Sequence, residues 1–230
     1  MRVNLCLGAL FPYGVVRAVG KALAAGIFAL VLAGQAAAEK VHLIAFGDSL
    51  TAGWGLLDHE GFVPQLRQWL EAQGEDVRIV LAGVSGDTTA GGLARMDWTL
   101  TDELQGIILQ LGGNDALRGV DPAVTRENLD RMMRIASDRG LEILLVGIAA
   151  PGNYGADYQT SFAATYPELA KAHDALVYPD FFAALGDTPA GALPYMQEDG
   201  IHPNAEGVQR IVGDIGPEVQ ALIARIRAGD

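Results

Sequence analysis

The amino-acid sequence predicts an α/β fold, a three-layer α/β/α sandwich around a five-stranded parallel sheet. Two observations carry that expectation. Strand-like and helix-like segments alternate about five times, and such alternation builds a parallel sheet with helices on both faces. One of the strand candidates, Ile107 to Leu111, is an unbroken apolar run, as expected of a strand buried on both faces. The 230 residues suit one domain, and no internal repeat or linker divides them.

In chain order, His42 to Phe46 is the first strand and runs into the polar turn Gly47-Asp48-Ser49. Phe62 to Gln73 carries Phe62, Leu66, Trp69 and Leu70 at helical spacing and stops at Gly74. Val77 to Leu81 is the second strand. Thr88 or Asp87 caps the helix that follows, which runs to about Leu100. After the third strand comes Gly112-Gly113-Asn114-Asp115. Asp121 is the N-cap and Pro122 the first residue of a helix to about Arg139. Leu141 to Ile148 is the fourth strand. A helix from about Asp157 to His173 contains Pro167, which predicts a kink or two shorter helices. Ala175 to Tyr178 is a short fifth strand. Pro179 to Glu198 has no readable pattern. The last helix carries Val208, Ile211, Val212, Ile215, Val219, Leu222, Ile223 and Ile226 on one face, with Gly213, Gly216 and Pro217 as points of bending.

Residues 1–38 read as a leader rather than as fold, leaving 39–230 as the folded domain. Arg2, Arg17 and Lys21 are the only charges before Glu39, an apolar run extends from Ala22 to Gly34, and Ala36-Ala37-Ala38 is a small-residue cleavage signal. That is the layout of a secretory signal peptide. The competing reading is a membrane anchor, but the run is short of the roughly 20 residues that span a bilayer. Export to a periplasm or out of the cell is the expectation. Cys6, the one cysteine, lies in the leader, so thiol nucleophiles and cysteine metal sites are excluded from the rest. The net charge of −12 argues against nucleic acid as a partner and gives no pull towards anionic membranes. A lipid substrate would be held by apolar contact. The domain is expected to work as a monomer.

Parallel strands place their carboxyl ends on one rim, where open α/β sheets bind ligands. That rim collects Ser49, Gly86 and Asn114, and the late turn Asp199-Gly200-Ile201-His202 reaches towards it. These are the parts acyl transfer needs: a serine, a base to take its proton, a carboxylate to orient that base, and preorganised donors for an oxyanion. Each has a plainer reading. Gly47-Asp48-Ser49 alone is a common strand-to-loop turn. Asp199 and His202 could cap the last helix or form half a metal site. Ser85 is a rival nucleophile but lacks a G-x-S-x-G elbow. His42 reads as a packed strand residue, and His59 and His173 as surface residues. Asp48, Asp87 and Asp115 read as turn braces.

Taken together, FGDSLTAGWG, AGVSGDTTAGGLAR, LGGND and DGIHPN resemble the four blocks of the SGNH (GDSL) hydrolase family, in order and across nearly the whole domain. Within it the chain is most similar to the bacterial periplasmic esterases called thioesterase I, lysophospholipase or arylesterase. The resemblance implies a flavodoxin-like sandwich that hydrolyses acyl esters and thioesters without metal or cofactor. It implies Ser49 as nucleophile, Asp199 and His202 as its partners, and an oxyanion hole of Ser49, Gly86 and Asn114. Trp54, Leu117, Pro151 and Tyr154 are expected around the acyl group, with the loop Leu117 to Val120 closing over substrate. The rivals are a carbohydrate-ester deacetylase or acyltransferase of the same family, a non-catalytic binding module, and a metal hydrolase using Asp48, Asp199 and His202.

Overall fold

The computed structural model describes residues 40–229 apart from Asp187. The expected leader, and Cys6 with it, lie outside the described residues. The five strands are β1 (Val41–Gly47), β2 (Val77–Gly83), β3 (Gly106–Gln110), β4 (Glu142–Val146) and β5 (Leu176–Tyr178). They form one parallel sheet in the order β2-β1-β3-β4-β5. The central strands are the most apolar. All five residues of β3 are buried, as is Leu43 to Gly47 in β1. The edge strand β2 is more open, with Arg78 and Leu81 exposed and only Ile79 buried. Sheet position thus follows from how continuous each apolar run is.

The principal helices are α1 (Ser49–Ala52), α2 (Phe62–Ala72), α3 (Thr89–Thr99), α4 (Gly113–Leu117), α5 (Pro122–Asp138), α6 (Ala156–Ala172), α7 (Pro189–Ala192) and α8 (Ala205–Gly229). α2 packs with α8, while α3, α5 and α6 pack in succession. Thr88 is the cap of α3, its hydroxyl accepting from Gly91 N at 3.3 Å. Asp121 caps α5 through Ala123 N at 2.9 Å. Pro167 does not divide α6, which is one helix of 17 residues. Pro lacks the N–H of a single rung, and buried Phe162, Tyr166 and Leu169 hold the helix to the core on either side of it. α8 likewise continues past Pro217 as one helix of 25 residues. Gly216 is there for close approach: a Cβ on it would lie 2.7 Å from the Trp69 ring of α2.

The fourth strand stops earlier than its apolar run. Gly147 turns out of the sheet, donating to Tyr178 O at 2.8 Å and accepting from Phe181 N at 2.9 Å, which frees Ile148 to Pro151 for the rim. The register is level there. Gly83 and Gln110 both pair with Gly47, Val146 pairs with Gln110, and Tyr178 pairs with Val146. All five strands therefore end on one line, and the segments that follow them share a ledge.

Candidate active site

Ser49 opens α1, immediately after β1. Asp48 caps that short helix, Oδ1 accepting from Leu50 N at 3.0 Å. Gly53 ends it in the left-handed region, φ 78°, and Gly53 N and Trp54 N both donate to Ser49 O. The serine backbone is held at both ends, and its hydroxyl meets His202 Nε2 at 2.8 Å.

His202 lies in a loop closed by the antiparallel bridge between Met196 and Pro203. Gln197 N donates to His202 O at 2.8 Å. The Gln197 side chain donates to Pro203 O at 3.0 Å and to Trp54 O at 2.7 Å. One amide thus ties the histidine loop to the segment behind the serine, a role no sequence motif signals. The last helix is capped by Asn204, which accepts from Gly207 N at 2.9 Å, and not by Asp199. Asp199 Oδ1 accepts from Ile201 N and His202 N, and Oδ2 meets His202 Nδ1 at 2.7 Å.

Burial is the largest influence on the Asp199 carboxyl and works to raise its pKa. The hydrogen bonds from the His202 ring, His202 N and Ile201 N together outweigh it and hold the pKa down at about 2. An ionised carboxylate only accepts, so Nδ1 is the donor. In the neutral ring Nε2 is then the acceptor for the Ser49 hydroxyl.

Ser49, Gly86 and Asn114 line one open cleft of about 810 Å³, together with Trp54, Leu117, Pro151 and His202. Gly86 adopts φ 86°, a left-handed conformation that disfavours a side chain, and its carbonyl accepts from Arg118 at 3.0 Å. Asn114 Nδ2 donates to Asp87 O at 3.0 Å. The Trp54 and His202 ring centroids are 6.2 Å apart. Tyr154 is placed differently from expectation and does not line the cleft. Its hydroxyl donates to Leu117 O, and Tyr158 donates to Val120 O. The loop expected to close over substrate is pinned by two tyrosines.

The three aspartates read as braces occupy that position. Asp115 accepts from Thr89 N at 2.8 Å, and from the hydroxyls of Thr89 and Thr125. Asp87 pairs with Arg95 Nε at 2.7 Å. Arg95 also donates to Gly47 O at 2.8 Å and stacks 3.8 Å over the Phe46 ring. Its side chain is 9 % exposed, so truncating it strands Asp87 with little water. Arg95→Met is expected to destabilise the fold by about 3 kcal/mol in urea unfolding. It is also expected to lower turnover, because Asn114 docks on the Asp87 carbonyl. Two histidines differ from one another: His59 is exposed, whereas His173 is not a surface residue, being half-buried with Nε2 at 2.7 Å from Asp130.

Asp48 lies fully buried beneath the serine. Burial is the main cause that pushes its carboxyl up to about 6, against the lowering effects of Leu50 N, the Gln110 amide, His202 and Asn114. The Gln110 amide nitrogen faces it without completing a well-formed hydrogen bond. A raised folded-state pKa means the folded state holds the proton more tightly. This group's stabilisation is full below its ordinary value of 3.8 and is lost as pH rises through about 6. Asp48→Asn cannot ionise. The stability difference between it and the wild type is therefore expected to move in the variant's favour by about 2 kcal/mol from about pH 4 to about pH 7. Urea midpoints across that range check it; a difference independent of pH would refute the buried titration.

Among the described residues no three His, Cys, Asp or Glu side chains cluster so as to hold a metal ion.

The chain matches the model of the GDSL-like Lipase/Acylhydrolase family over residues 45–210. It is 39 % identical over 202 residues to Esterase TesA of Pseudomonas aeruginosa, covering 87 % of this chain and 98 % of that one. It is 34 % identical over 198 residues to Thioesterase 1/protease 1/lysophospholipase L1 of Escherichia coli strain K12, covering 86 % and 91 %. Among solved structures it resembles AlinE4, an SGNH-hydrolase family esterase, with 41 % identity and a TM-score of 0.66 over 80 % of this chain and 96 % of that one. With a serine, a histidine and an aspartate joined at the carboxyl rim of a parallel sheet, this chain belongs to the GDSL-like lipase/acylhydrolase family.

Proposed function

We propose that this chain hydrolyses acyl esters and thioesters through an acyl-serine intermediate on Ser49. The observation that carries the reading is the unbroken relay from Ser49 Oγ to His202 Nε2 and from His202 Nδ1 to Asp199, 2.8 and 2.7 Å long, opening on a mostly apolar cleft. Ser49 Oγ attacks the carbonyl carbon while its proton passes to Nε2. The imidazolium that forms is stabilised by Asp199. Negative charge on the carbonyl oxygen is met by the N–H groups of Ser49 and Gly86 and the Asn114 amide. The tetrahedral species collapses, the C–O or C–S bond to the leaving group breaks, and Nε2 returns its proton to that group. Water repeats the sequence, releasing the acid and restoring Ser49.

Aryl esters, lysophospholipids and acyl-CoA are the substrate classes, in line with the names of the relatives. Trp54, Leu117 and Pro151 border the acyl group, and Tyr154 acts by holding Leu117. Residues 1–38 serve as a signal peptide, which places the enzyme in a periplasm or outside the cell. No helix among the described residues is long and apolar enough to cross a membrane. The enzyme acts as a monomer.

A fluorophosphonate probe tests the reading. Stoichiometric labelling at Ser49, with parallel loss of p-nitrophenyl ester and acyl-CoA hydrolysis, is the expected result. Hydrolysis that survives full labelling would overturn it.

A further inference from the structure

The cleft contains a carboxyl group that the hydrolytic steps do not use. Asp180 lines it, two residues beyond the end of β5, as Ser49 stands two residues beyond the end of β1. The strand ends are level, and β5 is three places from β1 in the sheet. At about 4.8 Å per strand, Asp180 stands about 14 Å along the ledge from the nucleophile. Asn114, after β3, stands on the serine side of this span, and beyond it the lining after β4 is apolar: Ile148, Ala149, Ala150 and Pro151, with Phe182 and Met196 also in the cleft wall. An acyl chain esterified to Ser49 has this floor to lie on, and meets Asp180 about 14 Å along it.

Asp180 Oδ1 accepts from Phe182 N at 3.2 Å, and the Asp180 carbonyl accepts from Ala183 N at 3.0 Å. The side chain is thereby fixed in its turn. Among the described residues the lining holds no lysine or arginine to neutralise it. Oδ2 has no hydrogen-bond partner among the described residues and is left to solvent in the open cleft. An alkyl chain long enough to cover Asp180 removes that water and offers no hydrogen bond in return, and burying an unpaired carboxylate is strongly unfavourable. A shorter chain ends on the apolar floor and leaves the carboxylate wet.

We propose that Asp180 is the polar stop of the acyl groove, setting the longest acyl chain that the enzyme accepts efficiently. The inference rests on the acyl-serine reading above. Specificity then arises from desolvation of a charge rather than from a steric wall, so the limit falls on chemistry as well as length. A chain with a hydroxyl near its end pairs with Oδ2 and escapes the penalty.

The test is kcat/KM on p-nitrophenyl esters from acetate to palmitate, for the wild type, Asp180→Asn and Asp180→Leu. Asn keeps the oxygen that accepts from Phe182 N and removes the charge; Leu removes both. Asp180→Leu is expected to raise kcat/KM on the longest chains by about tenfold or more, with acetate and butyrate unchanged. Asp180→Asn is expected to move the profile the same way by less. Rates of labelling by short- and long-chain alkyl fluorophosphonates give a second measure that needs no turnover. If Asp180→Leu does not fold, the Asn variant decides. An unchanged chain-length profile in a folded, active variant overturns the stop. Absence of hydrolysis of every ester by the wild type would instead refute the acyl-serine reading, so the two failures are distinct.

Discussion

Ser49→Ala is expected to lower kcat on p-nitrophenyl butyrate roughly a millionfold and to abolish fluorophosphonate labelling, with the fold intact. The Ser49 hydroxyl makes its hydrogen bond to His202 alone among the described residues. The backbone of the turn is held by other groups, through Asp48 to Leu50 N and through Ser49 O to Gly53 N and Trp54 N. Removing one oxygen therefore leaves α1 in place, and unfolding in urea should shift by less than about 0.5 kcal/mol. The apolar cleft also persists, so the variant still binds substrate. Loss of turnover with retained binding separates this enzyme from a binding module, in which no hydrolysis exists to be lost. A variant retaining more than a small fraction of wild-type turnover would mean that another group, Ser85 for instance, attacks the ester.

Asp199→Asn should lower kcat roughly ten-thousandfold through a single proton placed on the wrong nitrogen. Asn is nearly isosteric, and its Oδ1 still accepts from Ile201 N and His202 N, as Asp199 does. The loop is preserved. The amide NH2 now faces His202 Nδ1, which must become an acceptor, so the neutral ring carries its proton on Nε2. That proton points at Ser49 Oγ, 2.8 Å away, and the base is lost. In the wild type, with its pKa held down at about 2, Asp199 stays ionised at every pH at which an esterase is assayed. The acid limb of the pH profile is therefore expected from other groups, with the Asp199 carboxylate lost only as pH falls towards 2. Fluorophosphonate labelling of Asp199→Asn should slow in proportion to kcat; unchanged labelling would show that the carboxylate does not govern the nucleophile.

The elements that were legible in the sequence are those where one physical demand acts over many residues. β1 and β3 are buried on both faces, so their apolar runs are continuous and easily read. Asp121 before Pro122 marks a helix start because both residues satisfy the same helix end. Very short helices escaped. Ser49–Ala52 and Gly113–Leu117 are about one turn long, too short for a 3.6-residue period to repeat. The segment after Pro179 escaped as well, because it is built of single turns that each answer to a different neighbour. Pro167 was misleading, since one missing rung costs less than the packing of Phe162, Tyr166 and Leu169 returns.

The candidate site divides the same way. Ser49, Gly86, Asn114, Asp199 and His202 stand in turns whose glycines and order in the chain are visible in one dimension. Gln197, Arg95 and Asp180 carry no such signature. Gln197 is 143 residues from the Trp54 carbonyl it binds, and Asp180 reaches the cleft because β5 ends level with β1.

By itself the sequence determined that this chain is an α/β sandwich, which groups it brings to the carboxyl rim, and in what order. Burial and chemistry act on each residue where it stands, so both leave a local mark. Only the tertiary structure decided that Asp199 hydrogen-bonds His202 rather than capping α8, that Tyr154 holds Leu117 instead of lining the cleft, and that Asp180 shares a cleft with Ser49. Those are distances between parts of the chain far apart in sequence, and they are set by strand order, register and packing.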